Sequence, residues 1–266
     1  MLNVKKVLSG AFFIVFFSST SSMAVAQANC LPNNSVTRVG VDTVVDGDTV
    51  RLNSGRSVRL LGVNTPELKI GKGAPEKRSP EPFAHEARSF LERLLTGREI
   101  GLALGAEAED RYKRLLGHLV IEQQTASEMI LLRGLGWAVA IEPNTELAEC
   151  LFKAERQARD AKLGIWSRGV MSAASVRQGG FALIKGRVTG VDSTKRYIYL
   201  ELDNQVAVRF SRQNMGVKQI LQLEASLGAL AETRGWIIDR SDQLKPGSRF
   251  KPFLLPITSQ WHFAFL

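Results

Sequence analysis

The stretch Val36-Thr37-Arg38-Val39-Gly40-Val41-Asp42-Thr43-Val44-Val45-Asp46-Gly47-Asp48-Thr49-Val50-Arg51-Leu52-Asn53-Ser54-Gly55-Arg56-Ser57-Val58-Arg59-Leu60-Leu61-Gly62-Val63 decides how the first half of the chain folds. Apolar and polar residues alternate along it, and valine, which suits a pleated surface, dominates. Two breaks, Asp46-Gly47-Asp48 and Asn53-Ser54-Gly55, have turn chemistry. Three strands joined as hairpins are expected. Next, residues 68–82 hold Lys69, Lys72, Lys77 and Arg78, two glycines and three prolines without apolar periodicity, which predicts an exposed loop. Phe83, Ala87, Phe90, Leu91, Leu94 and Leu95 then recur at helical spacing up to Thr96-Gly97. Ile100–Leu104 and Leu115–Ile121 read as the fourth and fifth strands.

Three strands, a helix and two strands are the element set of an OB-fold barrel. Two more helices are expected to cover it. Ser127–Ala140 is apolar enough to be buried, and Leu147, Leu151, Ala154, Ala158 and Ala161 form a stripe behind the cap-like Asn144-Thr145. Ile165-Trp166 is placed to lock the last helix down. The sequence loosens after Ser167 through Gly179-Gly180, which reads as a linker. A second β-rich region follows, with strands at Phe181–Val191, Tyr197–Leu202, Val206–Phe210, Thr233–Ile238 and Phe253–Ile257 and a helical stretch over 212–227. The expected class is α+β, mainly β: a five-stranded OB barrel with three helices over 29–170, and a smaller OB-like module over 180–266.

Lys5 and Lys6 precede an apolar run from Val7 to about Phe17, and Ala24-Val25-Ala26 and Ala26-Gln27-Ala28 are candidate cleavage sites. Residues 1–28 therefore read as a secretory signal peptide; the run is well short of the ~20 residues of a spanning anchor. Ala28-Asn29 before Cys30 does not match a lipid-attachment site. The expectation is an exported, periplasmic or extracellular protein, monomeric and without stable membrane association after cleavage. Export makes a Cys30–Cys150 disulfide feasible; the alternative is a buried Cys150 and a disordered Cys30 thiol. The formal charge of +9 includes Lys5 and Lys6. Residues 27–166 balance 19 Lys or Arg against 19 Asp or Glu, whereas residues 167–266 carry 14 against 7. The basic surplus thus falls in the C-terminal part, which favours polyanion attraction or scattered solvated cations. Lys185, Arg187, Lys195, Arg196 and Arg209, interleaved with Tyr197, Tyr199 and Phe210, read either as a face for single strands or as ordinary strand alternation.

The chemistry-bearing residues begin at Asp46-Gly47-Asp48 and resume at Arg59-Leu60-Leu61-Gly62-Val63-Asn64-Thr65-Pro66-Glu67. A hairpin can bring the turn at 46–48 and the strand end at 64–67 to one end of the barrel, converging hard oxygen donors there. Such donors suit Ca2+. The three histidines, His85, His118 and His262, lack metal-ligand spacing, which speaks against zinc. Taken alone, Asp-Gly-Asp is a turn and the arginines are surface ion-pair formers.

Together with Asp110-Arg111-Tyr112-Lys113-Arg114, Glu86-Ala87, Gly134-Leu135 and Leu163-Gly164-Ile165-Trp166, these motifs over residues 40–167 closely resemble the staphylococcal nuclease, or thermonuclease, family. The resemblance implies a Ca2+-dependent hydrolase of DNA or RNA phosphodiesters, with another divalent cation as an alternative. It implies little sequence preference, endonucleolytic action and 3′-phosphate ends. Asp48 matches a metal-ligand aspartate, and Thr65 the residue whose carbonyl joins the metal. Glu67 matches the general base, Arg59 and Arg114 the phosphate clamp, and Arg111 and Tyr112 the contacts to a terminal phosphate. Asp46 matches an acidic position outside the direct metal shell. Asn64 stands where the family usually has a second aspartate; its amide oxygen still coordinates, but one negative charge is lost. The family's base-stacking aromatics are replaced by Val139, Ala140 and Ile141. A nucleic-acid-binding protein with lost turnover, and an envelope protein for oligosaccharides or protein partners, are the rival readings.

Overall fold

The computed structural model describes residues 30–68, 79–245 and 247–266. The expected leader and the basic stretch 69–78 lie outside the described residues.

The first half comprises β1 (Thr37–Val39), β2 (Val41–Asp46), β3 (Thr49–Leu52), β4 (Ser57–Leu60), β5 (Val63–Asn64), α1 (Ala84–Leu95), β6 (Ile100–Glu109), β7 (Leu115–Ile121), β8 (Gln124–Thr125), α2 (Ala126–Leu132), β9 (Trp137–Ala138) and α3 (Ala148–Asp160). β1 and β2 act as one strand interrupted at Gly40: β1 pairs with β6 (Thr37 opposite Leu102) and β2 with β3 (Val44 opposite Val50). β3 pairs with β4, β4 runs parallel to β7, and β7 returns antiparallel to β6. The five-stranded ring is thereby closed. Inward positions Val50, Val58, Leu60, Leu119 and Ile121 are buried, and α1 adds Ala87, Leu91 and Leu94 to the packing. Removing such apolar surface from water is the main stabilising term.

Two helix expectations change in detail. Instead of running to Ala140, α2 ends at Leu132, and Gly134 takes a left-handed φ of 65°. Trp137–Ala138 then pairs with Val63–Asn64, a long-range partner that local apolar content does not reveal. Asn144 does not cap α3, whose N-cap is Leu147. Its side chain brackets Glu107 on β6, donating to the carbonyl and accepting from the N–H, both at 2.9 Å. Cys30 and Cys150 form a disulfide with Cα atoms 5.6 Å apart, tying the strand entry to α3.

The second half comprises β10 (Met171–Ser172), β11 (Gly180–Ser193), β12 (Tyr197–Leu202), β13 (Val206–Ser211), α4 (Val217–Glu224), β14 (Leu230–Asp239), β15 (Phe253–Pro256) and β16 (Phe263–Phe265). β11 pairs with β14 through its first part and with β12 through its second. β12 pairs with β13, β13 runs parallel to β15, and β15 pairs back to β14. This is the strand order of the first barrel, with α4 in the place of α1. The stretch expected as a linker contributes β10, parallel to β11, and buries Ala173 and Val176 in the second core. The helix expected over 212–227 splits into a 3-10 turn at Arg212–Asn214 and α4.

A polar and aromatic seam joins the barrels. Arg234 of β14 donates to Glu155 of α3 at 2.6 Å and to the Ala138 carbonyl at 3.0 Å. Arg159 grips both carboxylate oxygens of Glu232 at 2.6 Å. His262 Nε2 accepts from the Ala140 N–H at 3.0 Å. Ile165 and Trp166 are buried with Ala158 and Leu183, the lock expected behind α3. Among the described residues, no helix is long and apolar enough to cross a membrane.

Candidate active site

The site grows out of the β2–β3 turn. Gly47 is required there by packing: a Cβ would fall 2.6 Å from Thr65 Oγ1 and 2.7 Å from the Ala87 methyl. The turn therefore lies flush against α1 and the Thr65 segment, which aims Asp48 inward. Asp48 is 2% exposed. One carboxylate oxygen accepts from the Thr65 N–H at 2.8 Å and the Thr65 hydroxyl at 3.1 Å. The other accepts from the Thr49 hydroxyl at 3.1 Å and forms an ion pair with Arg59.

Arg59 sits on β4 directly across from Thr49. It also donates to Asn64 Oδ1 at 2.8 Å, so the residue at the altered position shares the arginine with Asp48. Burial and then the neighbouring Arg114 charge lower the Arg59 pKa to about 10, so it stays cationic at neutral pH. Arg114 closes the tight β6–β7 turn. Its Nε donates to Asp110 at 2.7 Å, and Asp110 also accepts from the backbone N–H groups of Tyr112 and Arg114. Burial works against the Asp110 charge, but these hydrogen bonds outweigh it and hold the carboxyl below its ordinary range. Arg111 lies over the Tyr112 ring with its guanidinium carbon 4.8 Å from the centroid, and Arg114 approaches the same ring at 5.6 Å.

Glu67 and Glu81 exchange contacts: the Glu67 N–H donates to the Glu81 carboxylate, and the Glu81 N–H to the Glu67 carbonyl. The Glu67 carboxyl lies beside that of Asp46. Partial burial, then the Asp46 charge, raises its pKa to about 7, with Arg59 pulling in the opposite direction.

A cleft of about 590 Å³ brings together Arg59, Asn64, Glu67, Arg111, Tyr112 and Arg114. Asp48 and Thr65 are buried behind Arg59 and Asn64 and do not line it. The available donors near the turn are the carboxylates of Asp46, Asp48 and Glu67, the Asn64 amide oxygen and the Thr65 carbonyl, all hard oxygens. That chemistry fits a hard divalent cation. Cys30 and Cys150 lie near Glu128 away from this cleft, but their sulfurs are bonded to each other.

The sequence reading did not find Trp236, which comes from β14 of the second barrel and lines the same cleft. Along β14, Arg234 is buried whereas Trp236 and Ile238, on the same face by strand alternation, are exposed.

The fold and the cleft define an OB-type barrel that gathers arginines and a carboxylate in one open cleft. Residues 57–168 match the model of the family described as staphylococcal nuclease homologue. The thermonuclease of Staphylococcus hyicus is 31% identical over 127 residues, spanning 47% of this chain and 72% of that protein. Endonuclease YncB of Bacillus subtilis is 30% identical over 135 residues, 49% of this chain and 62% of its own length. The SPbeta prophage-derived endonuclease YokF of the same organism is also 30% identical over 135 residues, covering 44% of its length. The chain belongs to the staphylococcal nuclease family.

Proposed function

We propose that the protein is a Ca2+-dependent endonuclease that hydrolyses phosphodiester bonds of DNA or RNA with little sequence preference and leaves 3′-phosphate ends. The observation that carries this reading is the meeting of Arg59, Glu67 and Arg114 in one cleft. A phosphodiester gains negative charge on its equatorial oxygens as it becomes five-coordinate, so fixed cations aimed at them lower the barrier. Arg59 and Arg114 supply those cations, with planar forks that stay charged. Glu67 takes the proton of the attacking water; a carboxyl poised at about 7 suits that role. Arg111 and Tyr112 hold a neighbouring terminal phosphate. Asp48, Asn64 and the Thr65 carbonyl would hold Ca2+, whose bound charge neutralises phosphate and polarises water.

Export to the periplasm or the exterior belongs to the same proposal. The Cys30–Cys150 disulfide supports it, because such bonds persist in oxidising compartments. The family relation bears on nucleic acid as the substrate, and the names of the Bacillus subtilis relatives bear on endonucleolytic action.

The deciding assay incubates the purified protein with single- and double-stranded DNA and RNA, in Ca2+ or chelator, beside Glu67→Gln. Cleavage by the wild type only with metal, and a fall of about 100-fold or more for Glu67→Gln, are expected. Chelator-resistant cleavage or an unaffected Glu67→Gln would overturn the mechanism. Asn64 gives a second reading its footing: its oxygen already accepts from Arg59, which favours a binder of nucleic acid with weak turnover. Binding without cleavage in Ca2+ would establish that version.

A further inference from the structure

Trp236 places an aromatic wall from the second barrel into the nuclease cleft. It is 42% exposed, although it is a large apolar side chain on a strand that is otherwise fixed firmly in place. Residues 232, 234 and 236 alternate onto one face of β14. Glu232 and Arg234 are buried and bind Arg159 and Glu155 on α3, so that face is pressed against the first barrel. Trp236, next in the row, reaches past the seam into the cleft.

Its position is also set from behind. Phe181, opposite it in the β11–β14 register, packs edge-on at 5.0 Å, and Trp137 contacts Phe181 at 5.4 Å. Trp137 in turn pairs with Asn64 across β5 and β9. An aromatic row therefore runs from β9, the partner of the strand that carries Asn64, to the cleft wall. Ring contacts of this kind hold a side chain in one orientation without covering its remaining surface. On the first barrel's side the nearby wall is aliphatic, with Val139 and Ile141, and Tyr112 lies against Arg111 and Arg114.

We propose that Trp236 is a stacking platform for an unpaired nucleobase next to the phosphate held by Arg59 and Arg114, a proposal that rests on the nuclease reading above. Every base has a π face, so a tryptophan binds any base with little sequence preference. A base inside a duplex already has both faces stacked. The site therefore selects single-stranded or locally opened nucleic acid, and the second barrel takes part in substrate selection.

The test uses the full chain and compares Trp236→Ala, Trp236→Phe and Trp236→Leu with the wild type. Substrates are a single-stranded oligonucleotide and the same oligonucleotide with abasic residues flanking the cleaved bond. On the base-bearing strand, Trp236→Ala and Trp236→Leu are expected to lower kcat/KM about ten-fold, through KM, and Trp236→Phe to recover most of it. On the abasic strand the three variants should match the wild type. Equal losses on both strands would show a structural role and overturn the proposal, as would an unchanged KM on the base-bearing strand. Trp236→Leu keeps apolar bulk against Phe181 and stands in if Trp236→Ala fails to fold. If the wild type cleaves neither strand, the nuclease reading fails separately. Fluorescence anisotropy of both labelled strands then decides the stacking: a ten-fold weaker hold by Trp236→Leu on the base-bearing strand alone sustains it, and equal binding refutes it.

Discussion

The two barrels share a strand order and a helix between the third and fourth strands, yet they present opposite chemistry at the turn joining the first two strands. In the first barrel that turn is Asp46-Gly47-Asp48, and its carboxylates meet Arg59 and Glu67. In the second it is Thr194-Lys195-Arg196, closed by a hydrogen bond from Thr194 to Tyr197. Both barrels carry an arginine on the third strand. Arg59 faces a buried aspartate, whereas Arg209 lies over the Tyr197 ring at 4.9 Å. Topology thus supplies the frame, and a few turn residues decide whether it sets carboxylates against the third-strand arginine.

The largest effect is expected at the seam, where the second barrel places Trp236 in the cleft of the first. Arg234 and Glu155 are 6% and 2% exposed. Arg234→Ala leaves the Glu155 carboxylate buried with the Ala138 N–H as its remaining partner, and breaking such a pair costs about 3–5 kcal/mol. Denaturant unfolding is expected to separate into two transitions in the variant, one for each barrel. A loss under about 1 kcal/mol would mean that the barrels are held together by the apolar cluster of Ile165, Trp166 and Leu183 instead.

Much of this fold was legible in local pattern, and most of the seam was not. Tyr197–Leu202 has the ends expected from its sequence because its side chains alternate between a buried and a partly exposed face along the whole strand. The β2–β3–β4 hairpins follow from turn residues at 46–48 and 53–55. The α2 boundary was misplaced because Trp137–Ala138 is a strand only through its pairing with residues 63 and 64. At the site, Arg59, Glu67 and Arg114 stand out in the sequence through their resemblance to motifs of the staphylococcal nuclease family, and the structure lines one cleft with all three. Trp236 was not, since its place in the cleft depends on how β14 meets α3 about 80 residues earlier, a geometry with no local periodicity.

Each barrel also offers a smaller handle, a buried histidine. His262, at the seam, is held down to about 4 by burial and then by the Arg234 charge, and His118 of the first barrel is lowered to about 4 by burial, with Glu146 partly opposing. Between about pH 6.5 and 4 the unfolded chain takes up protons that the folded chain refuses. Stability is therefore complete above about 6.5 and falls as the pH drops, by at most about 3 kcal/mol per histidine. Protonation of His262 would also turn its Nε2 from an acceptor into a donor facing the Ala140 N–H. His262→Gln should remove roughly half of this acid-side slope, measured by urea unfolding at a series of pH values. An unchanged slope would assign the effect to other groups.

The finest distinction lies within the first barrel, at Asn64. An aspartate there would return a negative charge beside Asp48, and Arg59 would bridge two carboxylates rather than one carboxylate and one amide. Two forces then compete: a cation gains an anionic ligand, but Arg59 is held more tightly by both acids. In a partly buried site the direct charge interaction with a divalent ion exceeds that with a monovalent guanidinium, so the cation gains more. Asn64→Asp is expected to tighten Ca2+ about ten-fold in a calorimetric titration. Cleavage at limiting Ca2+ should rise with it, and at saturating Ca2+ the gain should shrink. Unchanged Ca2+ affinity would show that position 64 serves Arg59 rather than the metal.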